Sequence, residues 1–71
     1  MKEYVVVYEW TGRNWSAYSP DVSGCAAVGN TREEVEKNYR EALEIWIQET
    51  RAKGLPIPEP QADSGRVTVS I

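Results

Sequence analysis

Between Tyr4 and Trp10 the chain reads Tyr-Val-Val-Val-Tyr-Glu-Trp, β-branched and aromatic residues without glycine or proline, which is the composition of a strand. Thr11-Gly12-Arg13-Asn14 supplies turn residues and Trp15-Ser16-Ala17-Tyr18-Ser19 returns, so the pattern predicts an antiparallel hairpin with strands over about 4–10 and 15–19. Pro20 ends the second strand because it has no amide to give a ladder. Asp21-Val22-Ser23-Gly24 reads as a second turn, and Cys25-Ala26-Ala27-Val28 as a short third strand that stops at Gly29.

The apolar period then changes. Thr31 followed three residues later by Glu34 is a capping box, in which the hydroxyl accepts from the amide of residue 34 and the carboxylate reaches back to the cap. Val35, Tyr39, Ala42, Leu43, Trp46 and Thr50 follow at steps of three and four, the stripe of a helix that packs on a sheet. Glu33 and Lys37, Glu36 and Arg40, and Glu49 and Lys53 are acid-then-base pairs four apart. Gly54 supplies a left-handed cap and Pro56 forbids continuation, which predicts a helix over about 32–53. Ile45 is the apolar residue out of phase with the stripe.

Leu55-Pro56-Ile57-Pro58-Glu59-Pro60 holds the backbone extended as a strap over 55–60. After a polar loop, Arg66-Val67-Thr68-Val69-Ser70-Ile71 alternates polar and apolar residues as a strand buried on one side does. The order βββαβ predicts one domain over residues 1–71: an α+β, two-layer sandwich of an antiparallel sheet with one long helix packed on one face. The first strand is apolar on both parities. Tyr4, Val6, Tyr8 and Trp10 point one way and Val5 and Val7 the other, so a single helix leaves one of these faces to be covered by something else.

A domain of 71 residues is too small to be generously stable without a staple. The one cysteine, Cys25, closes no intrachain disulfide, and without histidine the usual zinc spacings have nothing to build on. Oligomerisation is the staple left, and a homodimer or larger even-numbered assembly is expected. With 11 acidic against 8 basic side chains, the chain has no electrostatic reason to bind nucleic acid itself. The longest apolar run, Tyr4–Tyr8, is far short of a bilayer span, and the start lacks the apolar core and cleavage site of a signal peptide, so a cytoplasmic location is expected and no membrane.

Candidate chemistry is sparse. Cys25 has no histidine to activate it, the helix acids are interleaved with bases, and the glycines never group into a phosphate-binding loop, so no catalytic residue, metal ligand or cofactor is expected. Trp10, Trp15 and Tyr18 would suit base stacking, but the acidic balance favours a core or protein-interface role. Val5, Val7, Asp21 and Ile45 are the candidate interface residues.

The stretch Tyr18-Ser19-Pro20-Asp21-Val22-Ser23-Gly24-Cys25, continued by Gly29-Asn30-Thr31 and the acids Glu33 and Glu34, resembles the HicB antitoxin family. The motif positions are Tyr18, Pro20, Asp21, Gly24, Cys25, Gly29, Thr31 and Glu34; Asn30 stands where the family usually has aspartate. The likeness continues through Glu41–Trp46 and the proline strap. It implies a partial RNase H-like fold and the antitoxin half of a toxin-antitoxin pair, which binds and masks HicA, a small basic ribonuclease. The family usually adds a C-terminal DNA-binding domain, which these 71 residues do not include. A different expectation is a solitary homo-oligomeric interaction protein with no toxin partner and no catalysis.

Overall fold

The computed structural model describes all 71 residues and has the element order β1 (Val7–Trp10), β2 (Trp15–Ser19), β3 (Val22–Gly29) and α1 (Arg32–Ala52). The three strands form one antiparallel sheet in the order β1-β2-β3, with the helix packed on one face, an α+β arrangement. β1 meets β2 through Val7 opposite Tyr18 and Trp10 opposite Trp15. Thr11 Oγ1 closes this hairpin by accepting from the amides of Arg13 and Asn14.

Two strand boundaries differ from expectation. Tyr4–Val6 approaches the sheet without joining the ladder, because β2 runs out at Ser19 and Pro20 offers nothing to pair with. β3 begins at Val22 instead of Cys25: the turn is confined to Pro20-Asp21, with Ser19 opposite Val22 and Tyr18 opposite Ala26. Ser23, Gly24 and Cys25 therefore bulge out of register, and Gly24 takes φ +81°, a left-handed conformation in which a side chain is strained.

Helix α1 starts as its capping signal predicts. The Glu34 amide donates to Thr31 Oγ1 at 3.0 Å, while Glu34 Oε1 accepts from the amide of Asn30, one residue before the cap. At the other end the Gly54 amide donates to the Arg51 carbonyl and the Leu55 amide to the Thr50 carbonyl, the two bonds that close a helix on a left-handed glycine. Of the three ion pairs read from the sequence, Glu36–Arg40 forms, at 3.9 Å, and Glu36 also takes Arg32 at 2.8 Å.

The core consists of Ala17, Val22, Cys25, Val35 and Tyr39, with Tyr4, Val6, Tyr8, Trp15, Ala42, Leu43 and Trp46 packed around it. Trp46, mid-stripe, is only half-buried, since a three-stranded sheet is too narrow to cover the whole helix. Gly29 passes directly beneath the helix start: a Cβ there would stand 2.7 Å from the Val35 nitrogen.

The expected fourth strand over 66–71 does not form. Residues 66–71 make no backbone ladder, and Val67 and Val69 are 87% and 67% exposed. The alternation marks a side that wants burial, but no strand of the same chain lies in hydrogen-bonding register with it. The sandwich is thus βββα, with the strap and tail running outside it. The strap is fastened where it crosses the approach to β1, by the Tyr4 hydroxyl donating to the Pro58 carbonyl at 2.6 Å and by Lys2 pairing with Glu59 at 2.7 Å.

Candidate protein-docking surface

Most motif residues serve the fold. Pro20 and Asp21 make the β2–β3 turn, and Asp21 Oδ2 accepts from the amides of Gln61 and Ala62, both at 2.9 Å, tying the end of the strap to that turn. Gly24 shapes the bulge, Gly29 admits the helix, and Thr31 and Glu34 cap it. Cys25 is buried against Tyr39, and burial raises its thiol pKa above the ordinary 9.0. Burial likewise pushes the Tyr39 phenol up to about 12, with Cys25 beside it adding to the shift. A thiol held protonated in the core is no nucleophile at neutral pH. The buried Tyr39 and Ser19 hydroxyls have no hydrogen-bond partner.

Among the motif residues Tyr18 looks outward, 42% exposed on the sheet face away from the helix. Val7 pairs beside it, and Val28 lies on the same face, 58% exposed. Val5 and Val7 are half-buried and line a groove of about 510 Å³ at the free edge of β1, together with Tyr8, Trp15, Arg32 and Ser64–Arg66. The face that the sequence left without a cover is therefore apolar and open.

Ile45 lies elsewhere, 55% exposed on the flank of α1 that overhangs β3. At about 100° per residue, Glu41 and Glu49 stand within about 40° of it, one turn before and one turn after, and Glu34 within about 20°. No basic residue falls within about 60° on either side. Arg32, Glu36 and Arg40 occupy the other flank, where Arg32 covers the Tyr8 ring at 3.5 Å. Neither Glu41 nor Glu49 has an ion-pair partner. Below Ile45 a groove of about 290 Å³ runs between helix and β3, lined by Gly24, Cys25, Ala26, Ala42, Trp46 and Glu49. An apolar side chain between two unpaired carboxylates, above an apolar groove and an open strand edge, suits a basic protein surface with an apolar centre.

The structure does not bring the four candidate interface residues together: Val5 and Val7 are at β1, Ile45 is over β3, and Asp21 is at the turn holding the strap. The groove beside Ile45 was missed by sequence reasoning, because Trp46 and Ala42 were assigned wholly to the core. The incomplete cover of a three-stranded sheet leaves them half-open. No three of the cysteine and carboxylate side chains gather where they could hold a metal ion, and no helix is long and apolar enough to cross a membrane.

A family model described as the HicB-like antitoxin of bacterial toxin-antitoxin systems matches residues 4–65. The UPF0150 protein ssr1765 of Synechocystis sp. is 36% identical over 45 residues, which cover 63% of this chain and 57% of that relative, so the chain spans less than two thirds of its length. No solved structure matches significantly.

Proposed function

The chain belongs to the HicB-like antitoxin family of bacterial toxin-antitoxin systems, and on that premise we propose that it is a non-catalytic binding protein that masks a small basic ribonuclease toxin of the HicA type in the cytoplasm. The toxin docks on the β3 flank of α1, with Ile45 entering an apolar depression and Glu34, Glu41 and Glu49 facing its cations. The observation that carries this reading is the composition of that flank: two unpaired carboxylates, Glu41 and Glu49, on either side of one exposed isoleucine, with no base among them. The net charge of −3 supports the same pairing by steering a basic partner.

The same reading includes self-association into a homodimer or larger even-numbered assembly, supported by the open apolar sheet face of Tyr18 and Val28 and by the small core of a chain with only 8 of 71 residues buried. Self-association leaves the β3 flank free for the toxin.

The test is the association rate of the purified protein with a basic toxin encoded beside it, measured across a salt series. The rate is expected to fall steeply with salt, and Glu41→Lys/Glu49→Lys to slow it by about tenfold or more at low salt. Ile45→Asp, at an exposed site the fold does not need, is expected to raise the dissociation rate. A salt-insensitive rate together with unchanged binding by both variants refutes this docking face.

A further inference from the structure

The tail and the free edge of β1 are each incomplete, and they complement one another. Beyond Leu55 no backbone amide donates to another backbone carbonyl, and the side-chain acceptors that serve the later residues stop at Ser64, so the amides of 65–71 are unpaired. Val67, Val69 and Ile71 alternate along one side of this extended segment and stand in solvent. The cost to compactness is visible: the Cα radius of gyration is 13.9 Å, against about 11 Å for a compact chain of this length. β1, at the border of the sheet, offers an unpaired edge. On its helix side Val6 and Tyr8 line both the groove of about 510 Å³ and a neighbouring cavity of about 160 Å³ that reaches Tyr39, Arg40 and Leu43. The sandwich lacks one strand there.

The chain does not fill the gap with its own tail. Asp21 pins Gln61 and Ala62 to the β2–β3 turn, Ser64–Arg66 reach the rim of the groove, and from Val67 onward the segment leaves the body. We propose that residues 66–71 of one copy add as a fourth strand to the free edge of β1 of a second copy, reciprocally, with Val67, Val69 and Ile71 turned into the groove beside Val6 and Tyr8. This deepens the self-association proposed above by naming its contact.

Three observations favour a second copy over any other occupant. Tail and edge lie on the same chain, so one two-fold arrangement satisfies both tails and both edges at once. The tail is long enough for the edge: its alternating run from Arg66 onward exceeds the four residues of β1, Val7–Trp10, roughly 13 Å as a strand. Their charges agree too, since the tail carries only Arg66 and the edge only Glu9, so pairing brings no like charges together although the whole chain is at −3. Added strands of this kind draw affinity from main-chain hydrogen bonds and specificity from alternate side chains in pockets.

Two measurements test the proposal. In a mixture of chains labelled with different isotopes, contacts of the Val67 and Val69 methyls with Val6 and Tyr8 are expected between differently labelled chains. In sedimentation equilibrium, Val67→Lys/Val69→Lys is expected to weaken self-association by about tenfold or more, because an ammonium in the groove meets Arg32 and Arg66 and no carboxylate. Both positions are exposed in the single chain, so the variant keeps the helical circular dichroism of the parent. Tail contacts found only within one chain overturn the proposal, as does a double variant that assembles like the parent; in either case self-association stands through another face. A parent chain that is monomeric at tens of micromolar overturns both.

Discussion

Replacing Gly29 with alanine adds a single methyl group at the tightest point between sheet and helix. The new Cβ would lie 2.7 Å from the Val35 nitrogen, 2.9 Å from its Cα and 3.1 Å from the Glu34 carbonyl carbon, where ordinary contact begins at 3.4 Å. All three are backbone atoms. The Val35 amide is already bonded to the Thr31 carbonyl at 3.0 Å, and the Val35 side chain is fully buried, so no rotamer change relieves the clash. The start of α1 must move off the sheet by roughly half an ångström or more, at an overpacking cost of about 1–3 kcal/mol. Alanine recovers about 0.5–1 kcal/mol of backbone entropy in a strand, so the net loss is up to about 2.5 kcal/mol, centred on about 1.2 kcal/mol. For a domain of this size the central value lowers the melting temperature by about 5–10 °C, read by thermal melting followed in the far ultraviolet. Gly24→Ala is the control: no atom lies within 4 Å of its Cβ, and its loss comes from φ +81° alone. Gly24→Asn, which tolerates that conformation, is expected to recover part of it, whereas Gly29→Asn is expected to be worse than Gly29→Ala. A Gly29→Ala protein that melts at or above the parent temperature refutes the close-approach argument.

Asp21→Ala removes the acceptor that holds the Gln61 and Ala62 amides, and is expected to cost about 1–2 kcal/mol and to raise hydrogen exchange at those two amides; exchange unchanged there would show that the strap is held by other means. Stability is expected to fall in alkali, by a sign that follows from both buried acids. The folded pKa values of Cys25 and Tyr39 lie above their ordinary 9.0 and 10.0, so between these values and the raised ones the unfolded chain binds fewer protons and stability declines as pH rises. Tyr39, pushed up to about 12, accounts for about 1–3 kcal/mol of that decline. Tyr39→Phe is expected to be neutral or stabilising at pH 7, since the hydroxyl it removes has no partner, and to flatten urea-measured stability above pH 10. A Tyr39→Phe profile parallel to the parent contradicts the assignment.

The elements that were legible in the sequence are those whose signals are local. The capping box at Thr31 and Glu34, the left-handed Gly54 and the stripe through Val35 and Tyr39 fixed the helix to within a residue. The hairpin turn at Thr11–Asn14 was equally plain, because turn chemistry is written in adjacent residues. The bulge at Ser23–Cys25 was not, since Asp21-Val22-Ser23-Gly24 has turn composition throughout and only the pairing of Ser19 with Val22 shows where the turn ends. The bond from Asp21 to residues 61 and 62 carries no local signature at all. The alternation in 66–71 was read as a strand buried on one side, and no strand forms there: periodicity names a face and not its partner. The docking flank was half-legible: Ile45 stood out by phase, while its groove depended on how little of the helix three strands can cover.

The β1-β2-β3 order, in which every strand pairs with its neighbour in sequence and the helix follows at once, has a kinetic consequence. Strand pairing within the sandwich is built from short loop closures, which places its folding ahead of all-β domains of the same size and behind helical bundles. The strap is the exception, joining residue 2 to 59, 4 to 58 and 21 to 61 and 62. It docks only onto a hairpin turn and an N-terminal segment already in place, and it can detach without unravelling the strands beneath it. Residues 55–71 therefore form a separate, less protected opening unit, in which protease cleavage precedes cleavage of the sheet and helix.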